Sequence, residues 1–153
     1  DTVILEYTSG SLEYFHPDFH SSMNMGVEYL GITYGEESVK DYLTQYTKAV
    51  YRKNINKIRE EGMAALQAMI LDTYEKEHAP EAVETKLQDG TLEVTVHWCP
   101  AVRHLRKTGR EVSQWYPCTT SVVMQTLAQE CGFAFEMGAY DTETGKTSYS
   151  FSK

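Results

Sequence analysis

The most constraining feature of this chain is a change of hydrophobic period near residue 83. Upstream, apolar residues recur at helical spacing. From Val83 they alternate: Val83, Thr85 and Leu87 lead to Asp89-Gly90, and Leu92, Val94, Val96 and Trp98 lead away. Asp-Gly between alternating runs predicts a two-residue type I′ turn, whose backbone twist matches that of paired strands. That turn pairs Leu87 with Leu92 and Thr85 with Val94 on one face. Lys86 then faces Glu93 on the other, an opposite-charge pair.

Helical signals precede the hairpin. Phe19, Met23, Gly26, Val27 and Leu30 share a stripe, with Asp18 as its expected N-cap. Glu36 and Glu37 suit the first turn of a second, longer helix carrying Val39, Tyr42, Leu43, Tyr46, Val50, Ile55 and Ile58. Gly62 interrupts it, and Met63, Leu66, Met69, Ile70 and Tyr74 continue until Pro80. Such stripes are what helices need in order to pack. Thr2–Tyr7 reads as a short strand or arm, so residues 1–15 are set apart from the helices.

Downstream, Pro100 opens a short helix at its favoured first position, and Gly109 suits its end. Thr119 or Thr120 caps a further helix with Val123, Met124, Leu127 and Cys131, closed by Gly132. Phe133, Phe135 and Met137 alternate toward Asp141–Gly145, and Thr147, Tyr149 and Phe151 return as a second hairpin. No linker or repeat divides the chain, so residues 1–153 are expected to form one α+β domain. Its N-terminal helices would pack on an antiparallel sheet of two β-hairpins with intervening helices.

The net charge of −8 argues against nucleic acid and anionic membrane surfaces as partners. No apolar run approaches the ~20 residues that a bilayer span needs. Three cysteines at spacings of 19 and 13 make neither a disulfide framework nor a zinc ribbon. Free thiols suit a reducing compartment, so a cytoplasmic setting is expected. The first residue, Asp1, leaves room for a leader removed by processing.

Three clusters carry chemistry. Cys118 precedes a helix in Pro117-Cys118-Thr119-Thr120, where the dipole would stabilise a thiolate and lower its pKa. Thr119 and Thr120 would add hydroxyls toward a developing anion. The alternative is a cysteine that merely packs beside a helix cap.

The second cluster is His97-Trp98-Cys99-Pro100 with Arg103, His104, Arg106, Lys107 and Arg110. Four of the fourteen basic residues fall there within eight positions. Arg103 would grip a carboxylate, and His104 would serve Cys118 as base or orienting partner. Set against this is a solvated basic helix. In the third cluster, His16, Asp18 and His20 suggest a divalent ion, but no metal-spacing motif supports one. No metal and no cofactor are expected. Nucleotide-binding glycine loops and the serine-hydrolase elbow are missing as well.

The order of these signals resembles a known family. Helices come first, then Cys99-Pro100-Ala101-Val102-Arg103-His104-Leu105, then Cys118-Thr119-Thr120 before a helix, then a terminal hairpin through Tyr140-Asp141. This is similar to the L-2-amino-thiazoline-4-carboxylic acid hydrolase family over roughly residues 14–153. The resemblance implies hydrolytic attack on the amidine carbon of a thiazoline, opening the ring toward a carbamoyl-cysteine. Cys118 would be nucleophile or ligand contact, and Arg103 would hold the carboxylate. Family members with a cysteine in the last hairpin differ from this chain, which has Lys146, Thr147 and Ser148 there. The expected partner is a small carboxylate ligand, bound by Arg103, Thr120, Cys99 and His20. The expected function is that of a cysteine-dependent small-molecule hydrolase acting on non-peptide C–N bonds of a carboxylate-bearing cyclic amidine or amide, and the alternative is a non-catalytic ligand-binding or sensory domain for a small acid. Homo-oligomerisation is left open.

Overall fold

The computed structural model describes residues 12–153, with side chains from Asp18 onward. Among these residues six helices accompany a four-stranded antiparallel sheet, an α+β arrangement. Helices α1 (Leu12–Tyr34), α2 (Glu36–Val50), α3 (Arg52–Glu61) and α4 (Met63–Lys76) come first. Strands β1 (Val83–Gln88) and β2 (Thr91–Val96) follow, then α5 (Pro100–Lys107), α6 (Cys118–Cys131), β3 (Ala134–Met137) and β4 (Thr147–Ser152). The sheet order is β1-β2-β4-β3, so the second hairpin joins the first through β4 against β2.

The register follows the side-chain alternation. Leu87 faces Leu92, Thr85 faces Val94 and Lys86 faces Glu93. Asp89 and Gly90 both have positive φ (53° and 75°), as a type I′ turn demands. On the inner face Leu92, Val94 and Val96 of β2 align with Phe151, Tyr149 and Thr147 of β4, and all six are buried. A shift of one residue would turn that row to solvent. The outer face stays polar, with Glu84, Lys86, Glu93 and Ser148 exposed.

Two apolar clusters fill the interior. One joins α1, α2, α5 and α6 around Val27, Val39, Leu43, Val102, Leu105 and Leu127. The other seats α3, α4 and α6 on the sheet through Ile58, Leu66, Ile70, Val94, Ala128 and Phe151. Met69, Met124 and Cys131 pack against both, so the two clusters are continuous.

Several boundaries depart from the sequence expectations. Helix α1 starts at Leu12 and runs through Pro17, which places Asp18 inside the helix rather than at its cap. As the sixth residue of α1, Pro17 withholds one backbone N–H from the helix, which continues through it at that cost. The suggested strand Thr2–Tyr7 lies outside the described residues. The second helix is divided at Tyr51, which caps α2 and precedes α3. Tyr42 and Val50, read as part of its apolar stripe, are exposed. Helix α6 begins at Cys118 itself, after Pro117. Thr119 therefore lies within the helix and donates its hydroxyl to the Tyr116 carbonyl instead of capping.

Candidate active site

A partly enclosed cavity of about 140 Å3 opens where the side of α1, the α2–α3 junction, the end of α4 and the starts of α5 and α6 meet the sheet. Its polar wall comes from His20 of α1, Glu77 just past α4, Cys99 just before α5 and Thr120 in the first turn of α6. Tyr51, Tyr74 and Tyr149 supply aromatic walls, and Met69, Ile70 and Met124 the apolar floor. Among the described residues no lysine or arginine lines it.

The residues reach this place through ordinary helix periodicity. His20 shares the inward face of α1 with Met23 and Val27, one and two turns on. Glu77 continues the stripe Leu66, Ile70, Thr73 past the end of α4. The two side chains pair, with His20 Nε2 lying 2.9 and 3.0 Å from the two Glu77 oxygens. Both are largely withdrawn from water, at 12% and 15% side-chain exposure, so the imidazole is held in one orientation. Such a carboxylate–imidazole pair is the orienting element of a general base.

Cys99 occupies the N-cap of α5 with extended backbone. Burial pushes its thiol pKa up, and the backbone N–H groups of Val102 and Ala101 pull it back down. Among the described residues no other side chain caps this helix start. The two N-terminal helix ends, α5 at Cys99 and α6 at Thr120, add positive potential to this side of the cavity. Together they favour negative charge that develops on sulphur or on a substrate atom beside it.

Of the residues singled out from sequence, His20, Cys99 and Thr120 line this one cavity. His104 stands behind His20, with ring centroids 6.4 Å apart. Arg103 lies on the surface with its guanidinium 3.3 Å above the Trp98 ring, a cation–π contact. Cys118 and Thr119 are not among the lining residues. Burial and the Glu36 carboxylate push the Cys118 thiol up, against the weaker pull of Lys40, its own N–H and Ser121. The depressed pKa expected at this helix start is therefore not what its surroundings produce. The His16 side chain lies outside the described residues, and among the described residues no group of three or more His, Cys, Asp or Glu is placed to hold a metal ion.

Glu77 and Tyr51 carry no motif in the sequence, and Tyr74 and Tyr149 read there only as packing residues. The available signal was a carboxylate continuing the apolar stripe of α4, a position that needs a partner when buried.

Among the described residues no helix is long and apolar enough to cross a membrane. Comparison with protein-family models, with curated proteins and with solved structures finds no match to this chain. The fold and the cavity therefore define the class: an α+β chain with a thiol and an oriented imidazole in one small pocket.

Proposed function

We propose that the chain is a small-molecule hydrolase acting on a carboxylate-bearing cyclic amidine of the thiazoline type, with Cys99 as nucleophile. The observation that carries this reading is the cavity shared by the Cys99 thiol and the His20–Glu77 pair. Three tyrosine side chains and Glu77, with no lysine or arginine among the described lining residues, suit the delocalised positive charge of an amidinium. The ligand's carboxylate would then point out of the mouth, where it stays hydrated. Cys118, favoured by the resemblance, has no such surroundings.

The chemistry follows from these roles. His20 takes the Cys99 proton and the sulphur adds to the amidine carbon, the C=N electron pair moving onto the ring nitrogen. Collapse breaks the ring C–S bond, and the departing sulphur recovers the proton from His20. Water then adds to the same carbon, giving a proton to His20, and the Cys99–carbon bond breaks. Cys99 regains that proton, leaving a carbamoyl group on the product nitrogen. Resting Cys99 is a neutral thiol because burial raises its pKa, so the step requires a neighbouring base. The three unpaired cysteines suit a cytoplasmic setting.

A second reading keeps the same pocket without turnover, as a binding or sensory domain. The apolar and aromatic share of its walls favours it, since ligand pockets are built that way. Ring opening liberates a thiol, which a thiol-specific chromogenic reagent detects. Incubation of the native protein with 2-aminothiazoline-4-carboxylate is expected to release thiol continuously above a heat-denatured control. Saturable binding without release would establish the second reading, and neither binding nor release would overturn both.

A further inference from the structure

Gly145 is buried although it lies in the connection between β3 and β4. Its φ is +77°, and a Cβ placed there would overlap the Cβ of Cys99 and crowd the Tyr140 hydroxyl. The loop therefore presses its bare backbone against the thiol residue. The preceding carbonyl, of Thr144, accepts the Cys99 N–H at 2.8 Å. This loop thus fixes the backbone of Cys99 from two adjacent positions.

The loop is in turn held by the helix that Cys99 starts. Arg106, near the far end of α5, donates from Nε to the Glu143 carbonyl at 2.8 Å and from Nη2 to the Thr142 carbonyl at 2.9 Å. Asp141 closes the turn from within, accepting the Glu143 N–H at 2.9 Å and the Thr144 hydroxyl at 3.1 Å. Its carbonyl accepts the Gly145 N–H as well. Arg106 belongs to the basic cluster that the sequence suggested for gripping a ligand carboxylate, yet two of its donors are committed to loop carbonyls.

We infer that the Asp141–Gly145 loop, stapled to α5 by Arg106, is the positioning element that seats the Cys99 sulphur at the N-terminus of that helix. The inference rests on the reading of Cys99 as the site's thiol. Arg106 and Gly145 act through Cys99 and touch no substrate. Loosening the staple lets the thiol drift from the Ala101 and Val102 N–H groups, which stabilise its anion.

The test measures iodoacetamide alkylation of each of the three cysteines by peptide mass spectrometry, as a function of pH. The midpoint of the rate profile reports thiol ionisation, and its high-pH plateau reports access. Arg106→Ala is expected to move the Cys99 midpoint upward by at least half a pH unit, leaving the Cys118 and Cys131 profiles in place. Arg106→Lys, which keeps a charged donor group without the planar fork that reaches both carbonyls, is expected to fall between the alanine variant and the native protein. Gly145→Ala is expected to shift Cys99 in the same direction. If it fails to fold, Arg106→Ala decides alone, since that side chain is 40% exposed. A Cys99 midpoint that is unchanged or lowered in Arg106→Ala, or an equal shift in all three cysteines, would overturn the inference. Absence of turnover on any amidine would count against the hydrolase reading and leave this outcome intact.

Discussion

Replacing Cys99 with serine is expected to reduce turnover of the thiazoline at least about a thousandfold, while Cys118→Ser and Cys131→Ser stay within a few-fold of the native rate. Serine keeps the shape of the side chain but ionises far too weakly to attack at neutral pH, and removal of a positioned nucleophile costs orders of magnitude. The two control positions lie elsewhere. Cys118 sits beside Glu36 and Lys40 where α6 meets α2, and Cys131 lies near Arg59 at the other end of α6. Initial rates of thiol release on the three folded variants decide the matter. A collapse of activity in Cys118→Ser with Cys99→Ser intact would return the nucleophile to the residue that the family resemblance suggested.

Alkali is expected to unfold this protein cooperatively. Burial pushes the phenols of Tyr51, Tyr74, Tyr116 and Tyr149 above their ordinary range, and the Cys99 thiol likewise. The sign of the effect is set by proton counting. Below about pH 10 these phenols are neutral in both states and cost nothing. Above it the unfolded chain loses protons that the native state retains, so stability falls as pH rises. Each such phenol contributes about 1.4 kcal/mol per pH unit beyond its unfolded pKa. Near pH 11 the three most strongly raised, Tyr74, Tyr116 and Tyr149, amount to about 4 kcal/mol, close to the scale of a whole domain's stability. Urea midpoints at about pH 8 and pH 11 should therefore differ sharply. Tyrosinate absorbance from these residues should appear together with loss of helical circular dichroism. An unchanged midpoint, or full tyrosinate absorbance with the fold intact, would contradict the burial of these rings.

What could be read from the residues and what could not divide along chain distance. The first hairpin was legible because Asp89-Gly90 and its alternating flanks encode turn, register and face within fourteen residues. Helix α5 was legible from Pro100 at its first position and the apolar spacing behind it. The site was legible only in part. His20, Cys99 and Thr120 could each be singled out by chemistry, but nothing local says that residues 79 and 21 positions apart share a cavity. The choice of Cys118 rested on a capping threonine after it. With Pro117 at the cap instead, Cys118 lies in the first turn and its surroundings raise its pKa rather than lower it. The stacking of Arg103 on Trp98 is an attraction that residue spacing does not reveal. Glu77 was missed because charged residues at helix ends are usually solvated, and only the tertiary fold brings His20 to it.

The proposed ligand would share one cavity with the Cys99 thiol and the His20–Glu77 pair, whether or not turnover follows. Ligand protection tests it most directly. Native protein is treated with iodoacetamide with and without saturating 2-aminothiazoline-4-carboxylate, and labelling of each cysteine is followed by peptide mass spectrometry. The ligand is expected to slow labelling of Cys99 at least tenfold and to leave Cys118 and Cys131 unchanged. Protection of Cys118 with Cys99 labelled at its free rate would contradict it.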